Sequence, residues 1–286
     1  MEKVIISAAL AGAATRKEQN PAVPYTPKEF AEESYKCWKA GASIVHIHAR
    51  NPDNGFPTPD MKIIRETITA IRDRCPELII NMSSAIGPGV TPEQRIAPIV
   101  EMKPDLASLN TNSMNFGLVD YKSGKVLFEI IFENTFKMLV DFGKAMKENG
   151  VKPECEVYDF GGIYNVLLVR KQGIFEEPMH FQLVFGVAGG VPFTPMNMVH
   201  MQGLLPSDAT WSVCGVGPNQ FPAAIMASIM GGHIRVGLED NTRVLRGKMA
   251  EGSWEQVEVV KKIIENSERD VATPAEARKI LKLRRS

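Results

Sequence analysis

Two histidines, His46 and His48, stand one residue apart in the run Ser43 to Ala49, whose other positions are mostly apolar. On a strand this spacing puts both imidazoles on one face, about 7 Å apart. Two such imidazoles can converge on a divalent ion, although a buried histidine is as often satisfied by its neighbours. A carboxylate, Glu239, closes another alternating run, His233 to Glu239. Two histidines and one carboxylate leave a coordination position open to substrate; the set suits zinc, with manganese or iron(II) also compatible. Arg235 and Asp240 form a second pair. Five positions apart on one strand they would have opposite phase, so they meet only where the chain turns after Glu239. There an arginine-held carboxylate beside a metal is a suitable base for a proton next to a carbonyl; the plainer alternative is a salt bridge.

The elements that must position these groups follow from the same alternation. In IVHIHAR, Val45, Ile47 and Ala49 take one face and leave His46, His48 and Arg50 on the other. In HIRVGLED, Ile234, Val236 and Leu238 stand opposite His233, Arg235 and Glu239. Glu154, Glu156 and Tyr158 share the polar phase, as do Asn81 with Ser83 and Ser108 with Asn110. Eight strand-like runs qualify: Val4 to Leu10, Ser43 to Ala49, Leu78 to Ser83, Leu106 to Asn110, Glu154 to Asp159, His180 to Gly186, Thr210 to Gly215 and His233 to Glu239. Stretches of helical length separate them, several opened by a Thr-Pro cap at Thr26, Thr58, Thr91 and Thr194. Eight such alternations in 286 residues predict an α/β fold, a closed (β/α)8 TIM barrel forming one domain over 1–286, with an extra capped helix at about 274–284. A Rossmann sheet would want G-x-G-x-x-G after the first strand, where this chain has AGAAT.

A barrel interior is normally filled by Val, Ile and Leu, so inward His, Glu, Arg, Ser and Asn are costly unless they serve a reactive centre. His180 and His233, at strand starts, and His200, on a helix, read as structural. Glu154 and Glu156 could equally be partners for His or Arg. The basic end from Arg278 to Arg285 reads as a solvated helix face. Glycine-rich loops in SSAIGPG, GVAGGVPFTP and VCGVGPNQ read as tight turns or as a weak phosphate cradle.

Lys plus Arg and Asp plus Glu both number 33, which leaves no net field for a polyanion and argues against nucleic acid as a partner. With 44% hydrophobic and 23% charged residues the chain has an ordinary globular composition. No apolar run is long enough to span a membrane. The apolar stretch from Val4 to Ala14 imitates a signal peptide, but Glu2 offsets Lys3 and a first strand is the better reading. Four scattered cysteines make no C-x-x-C pair, which fits a reducing cytoplasm.

These strings resemble the β-keto acid cleavage enzymes over nearly the whole chain: IISAALAGA with PYTPKEFAEES, AGASIVHIHAR, INMSS, KPDLASLNTNSMNFG, VKPECEVYD, FGVAGG, GGHIRVGLEDN and ATPAEARKIL. The resemblance implies a zinc enzyme of the (β/α)8 class that turns a β-keto acid plus acetyl-CoA into acetoacetate and a new acyl-CoA. It implies one zinc per chain on His46, His48 and Glu239, polarising the keto oxygen. Asp240 is the implied base and Arg235 its orienting partner. Ser83, Ser108 and Glu156 match substrate-holding positions, and Asn110, in phase with Ser108, joins them. A homo-oligomer, a tetramer, is also implied. Where amino-substrate members carry a glutamate, this chain has Ala14, which argues for an uncharged or apolar tail. Two other readings are an amidohydrolase-type metal hydrolase, which also uses His-x-His but on its first strand, and a non-catalytic metal-binding barrel.

Overall fold

The eight expected runs pair in parallel and close on themselves in the computed structural model, which describes residues 2–284. In chain order the elements begin β1 (Ile6–Ala11), α1 (Pro27–Ala40), β2 (Ile44–Ile47), α2 (Met61–Arg74), β3 (Ile79–Met82), α3 (Pro92–Met102) and β4 (Leu106–Asn110). A hairpin follows, β5 (Met114–Asp120) and β6 (Lys125–Phe132), then α4 (Phe136–Glu148), β7 (Lys152–Val157), α5 (Phe160–Arg170), β8 (His180–Phe185) and α6 (Pro195–Gly203). The last part holds β9 (Thr210–Gly215), α7 (Gln220–Met230), β10 (His233–Val236), the short pair β11 (Arg243–Leu245) and β12 (Lys248–Met249), α8 (Ser253–Asn266) and α9 (Pro274–Ile280). The barrel runs β1-β10-β9-β8-β7-β4-β3-β2 and back to β1.

Strand faces behave as their alternation predicts. Val45, Ile47, Ile80, Met82, Val213, Ile234 and Val236 pack outward against helix residues such as Ile64, Ile68 and Ile71 of α2, whose spacing keeps them on one stripe. Capping boxes start α1 at Thr26, α3 at Thr91 and α9 at Thr273, and Thr194 caps α6. Thr58 is a correction: Asp60 caps α2, accepting from the amides of Lys62 and Ile63, while Thr58 Oγ1 accepts from Asp60 N at 3.1 Å. The carboxylate lies closer to the helix start and takes the orphan amides first.

The lower end of the barrel is apolar. Ile5, Ile44, Ile79 and Leu106 meet Ala272, Ala277 and Leu281, so α9 plugs the bottom. Its basic end is no plain solvated face, because Arg278 Nη1 donates to Asp105 Oδ1 at 2.5 Å; Arg285 lies outside the described residues. The hairpin β5/β6 is a second departure, since strand-and-helix alternation leaves that stretch as part of a helical connection. Its base, Met114 with Phe116 and Phe132, packs on Tyr158, Val184 and Cys214 at the upper mouth. Among the described residues no helix is long and apolar enough to cross a membrane.

Candidate active site

His46 lies on β2 and His48 just past its end, their rings 5.2 Å apart. Glu239 joins them, but not from a strand: β10 stops at Val236 and the chain turns, with Asp240 N and Asn241 N both donating to Gly237 O at 3.1 and 3.0 Å. The turn needs glycine. Gly237 has φ of 154°, and a Cβ there would sit 2.0 Å from Ala9 O. Gly12 leaves room on the other side, since its Cβ would lie 2.5 Å from Glu239 Cγ. Thr15 Oγ1 donates to Glu239 O at 3.0 Å, and Arg50 Nη2 to Thr15 O at 2.6 Å. Arg50 is thus buried beyond the end of β2, where it staples the loops after β1 and β2 together.

Glu239 Oε1 lies 3.8 Å from His46 Nε2 and 3.4 Å from His48 Nε2, and one ligand atom from each of the three residues falls within 4.8 Å of the others. Burial pushes His46 down to about 3, so its imidazole is neutral and keeps a lone pair. Burial alone would raise Glu239, but the charge of Arg235 and the neighbouring imidazoles hold it well below the usual carboxylate range. Glu239 Oε2, His46 Nδ1 and His48 Nδ1 are buried without a protein partner. The unpartnered carboxylate oxygen, together with two imidazoles whose Nε2 atoms face Glu239, fits a divalent cation by donor type and number.

Arg235 holds three carboxyl groups together. Nε and Nη2 donate to Asp240 Oδ2 and Oδ1, each at 2.9 Å; Nη1 donates to Glu156 Oε1 at 3.2 Å, and Nη2 to Glu239 Oε1 at 2.6 Å. Three acids on one guanidinium cannot all ionise cheaply in a buried site. Burial pushes Glu156 up to about 8 against the pull of Arg235, with Glu154, Glu239 and Asp240 adding to the rise. Burial also raises Asp240, opposed by Arg235 and helped by Glu239. A carboxylate with raised proton affinity, fixed by a two-pronged arginine, is suited to take a proton from a weak carbon acid.

From Glu156 a polar ladder crosses the mouth. Tyr158 OH lies 3.5 Å from Glu156 Oε2 and donates to Asn110 Oδ1 at 3.1 Å; Asn110 Nδ2 lies 3.5 Å from Ser84 Oγ, and Ser84 N donates to Ser108 Oγ at 3.1 Å. Ser108, Asn110 and Glu156 therefore share one network. Ser83 borders it and accepts from Ala85 N at 3.1 Å. Sequence reasoning missed Ser84 and Arg95, whose Nε donates to Ser84 O at 2.8 Å; the doublet Ser83-Ser84 was the available sign for the first.

Other candidates sit elsewhere. Glu154 lies deeper, accepting from Asn81 Nδ2 at 2.7 Å and facing His180 Nε2 at 3.5 Å. His233 Nδ1 accepts from Ile5 N at 3.2 Å, and His200 stacks edge-on against Phe160. Glu154 is engaged with Asn81 and His180 and Glu156 with Arg235, so neither middle-strand glutamate is among the grouped His46, His48 and Glu239, unlike the added ligands of an amidohydrolase-type centre. In GVAGGVPFTP the glycines serve packing: a Cβ on Gly189 would meet Asn115 O at 1.8 Å, and one on Gly190 would meet Tyr158 O at 2.9 Å.

Residues 3–283 match the profile of a family described as beta-keto acid cleavage enzyme. The chain is 43% identical over 281 residues to the 3-keto-5-aminohexanoate cleavage enzyme of Acetoanaerobium sticklandii, covering 98% of each chain. It is 36% identical to the 3,5-dioxohexanoate:acetyl-CoA acetone transferase of Paraburkholderia graminis, covering 99% of this chain and 96% of that one. Among solved structures, ObcA in a ternary complex with a C4-CoA adduct and oxalate superposes with a TM-score of 0.76 at 20% identity, covering 92% of this chain and 68% of that one, a likeness of fold.

Proposed function

Because this chain belongs to the β-keto acid cleavage enzyme family, we propose that it converts a β-keto acid and acetyl-CoA into acetoacetate and a new acyl-CoA. The observation that carries this reading is the fork of Arg235 on Asp240 beside the His46, His48 and Glu239 cluster. The names of relatives support the cosubstrate, since one is an acetyl-CoA acetone transferase and another, from Cupriavidus necator, a 3-oxoadipate:acetyl-CoA acetyltransferase.

His46, His48 and Glu239 would hold one zinc ion, which when bound polarises a carbonyl oxygen and so acidifies the carbon beside it. Asp240 takes the proton from the carbon between carboxylate and ketone. The carbanion so formed attacks the acetyl carbonyl of acetyl-CoA, a carbon–carbon bond forms and the CoA thiolate leaves. The thiolate then adds to the original ketone. The bond between that ketone and the former α-carbon breaks, releasing the new acyl-CoA, and Asp240 returns its proton to the acetoacetate carbanion. No proton or electron is left over. Arg235 keeps Asp240 aimed throughout, while Ser83, Ser108, Asn110 and Glu156 supply donors for the substrate's carboxylate and keto group. Burial pushes the Glu156 carboxyl up to about 8, and in its protonated form it donates without adding charge.

Ala14, exposed at the rim, offers a methyl group and no carboxylate there, which favours a tail without an ammonium. A homo-oligomer is supported by exposed apolar residues on the hairpin, Leu118, Phe128 and Ile131, and on α5 and α6, Tyr164, Leu168 and Val199. Four buried, unpaired cysteines suit the reducing cytoplasm. The test is direct: acetyl-CoA is supplied with a panel of β-keto acids and both products are followed. A chain that releases only free acid and CoA would be a hydrolase.

A further inference from the structure

Behind the serines of the mouth lies a buried cation that the chemistry above does not use. Arg95 on α3 is 7% exposed. Its guanidinium meets only neutral oxygens: Nε donates to Ser84 O at 2.8 Å, Nη1 to Glu133 O at 3.0 Å and Nη2 to Asn134 Oδ1 at 2.8 Å. The rings of Phe142 and Phe132 flank it, their centroids 5.4 and 5.8 Å away. Stability does not ask for a charge here. Burying a cation without an anion is costly. Arg95 also stands near the start of α3, which Thr91 caps, at the end where the helix dipole disfavours positive charge. An arginine stays protonated all the same.

Its contacts lead to the residues that hold the substrate. Ser84 N donates to Ser108 Oγ at 3.1 Å, and Asn110 Nδ2 lies 3.5 Å from Ser84 Oγ, so Ser84 alone separates the guanidinium from both. On the other side, Asn134 Nδ2 donates to Asn112 O at 3.2 Å and Asn134 N to Ser113 Oγ at 2.8 Å. Arg95 therefore ties the loop after β3 to the loop after β4, the two segments that frame Ser83, Ser108 and Asn110.

We propose that Arg95 is a positioning residue for the substrate's carboxylate: it holds the Ser83-Ser84 turn against β4 and supplies, one layer behind, an uncompensated positive charge for the anion. This rests on the reading that Ser83, Ser108 and Asn110 receive that carboxylate.

The experiment measures, by calorimetry on zinc-loaded protein without acetyl-CoA, the binding of acetoacetate and of its uncharged methyl ester. Arg95→Gln keeps a donor but no charge. Acetoacetate should bind it roughly tenfold more weakly, the order expected of one charge acting across a single layer of residues, and the ester within about twofold of wild type. Arg95→Lys keeps the charge but not the fork, and should lose less than Arg95→Gln. Asn134→Asp sets a carboxylate against the same guanidinium and should also weaken acetoacetate selectively. Equal losses for acid and ester in Arg95→Gln would make Arg95 a structural staple and overturn the proposal. So would unchanged acetoacetate binding in folded Arg95→Gln while Ser108→Ala weakens it, which leaves the reading of the serines standing. Should Arg95→Gln not fold, Asn134→Asp decides by the same criterion. Acetoacetate bound no better than its ester, and indifferent to Ser108→Ala, would overturn the reading of the serines, and this proposal with it.

Discussion

Arg235 grips Asp240 through two parallel hydrogen bonds, Nε to Oδ2 and Nη2 to Oδ1 at 2.9 Å each, across a turn that only glycine can make at Gly237. The fork fixes the carboxylate in position and plane beside the histidine pair. Asp240→Asn keeps the size but accepts no proton, so turnover should fall by roughly 10²- to 10⁴-fold with metal content and melting temperature little changed. Arg235→Lys should also slow the reaction, because an ammonium cannot reproduce the two-pronged contact. Steady-state kinetics on the identified substrate checks both. Wild-type rates in both variants would make the pair a structural salt bridge.

Gly12→Ala tests how tightly Glu239 is framed. The new methyl carbon would lie 2.5 Å from Glu239 Cγ, so the carboxylate must shift. Overpacking of this kind costs about 1–3 kcal/mol. Weaker zinc binding and slower turnover are expected together, read by chelator competition and kinetics; unchanged zinc affinity would show that Glu239 has slack.

Glu156 predicts a pH effect on stability. Its carboxyl is pushed up to about 8 by burial, from an ordinary 4.5. Between those values the unfolded chain has released a proton that the native state keeps, so stability falls as pH rises, by at most about 1.4 kcal/mol per pH unit. Glu156→Gln imitates the protonated form and removes this loss. In chelator-treated protein the variant's melting temperature should sit near that of wild type at pH 5 and increasingly above it toward pH 8. Effects of His46, held neutral down to about 3 by burial, are common to both proteins and cancel. A gap that stays flat across this range would place Glu156 in its ionised form.

The hairpin predicts the assembly state. Leu118 and Ile131 are 61% and 75% exposed. Leu118→Lys with Ile131→Lys should shift the protein to a smaller species by light scattering. An unchanged mass would move the interface elsewhere.

Specificity turns on the loop after β1. Ala14→Glu should raise kcat/KM for a 5-amino β-keto acid relative to its 5-methyl or 5-hydroxyl analogue, because a carboxylate at the rim attracts the ammonium. A wild-type preference for the amine would show that another acid serves it.

Much of this was legible in the sequence. The two-residue period set His46 and His48 in phase, and the same period exposed Asn81, Ser108, Glu156 and Arg235 as inward polar positions. The turn that carries Glu239 and Asp240 was only conditionally legible, since it depends on Gly237 lying against the backbone of Ala9. The hairpin was invisible because it is inserted after β4 and, apart from a single bridge of Gly117 to Ala188, its strands pair with each other, outside the barrel ladder. Ser84 and Arg95 escaped for a different reason: their contacts run partly to main-chain atoms, which leave no pattern in residue type. Asp60 displaced Thr58 as a cap by the competition of two good acceptors two residues apart.

The acyl-exchange reaction itself is tested most directly with acetyl-CoA carrying carbon-13 at both acetyl carbons. Incubated with an unlabelled β-keto acid and the zinc-loaded enzyme, it should give acetoacetate labelled at carbons 3 and 4 and an unlabelled new acyl-CoA, with Asp240→Asn giving neither at a comparable rate. Unlabelled acetoacetate, or label recovered only in free acetate, would contradict the account.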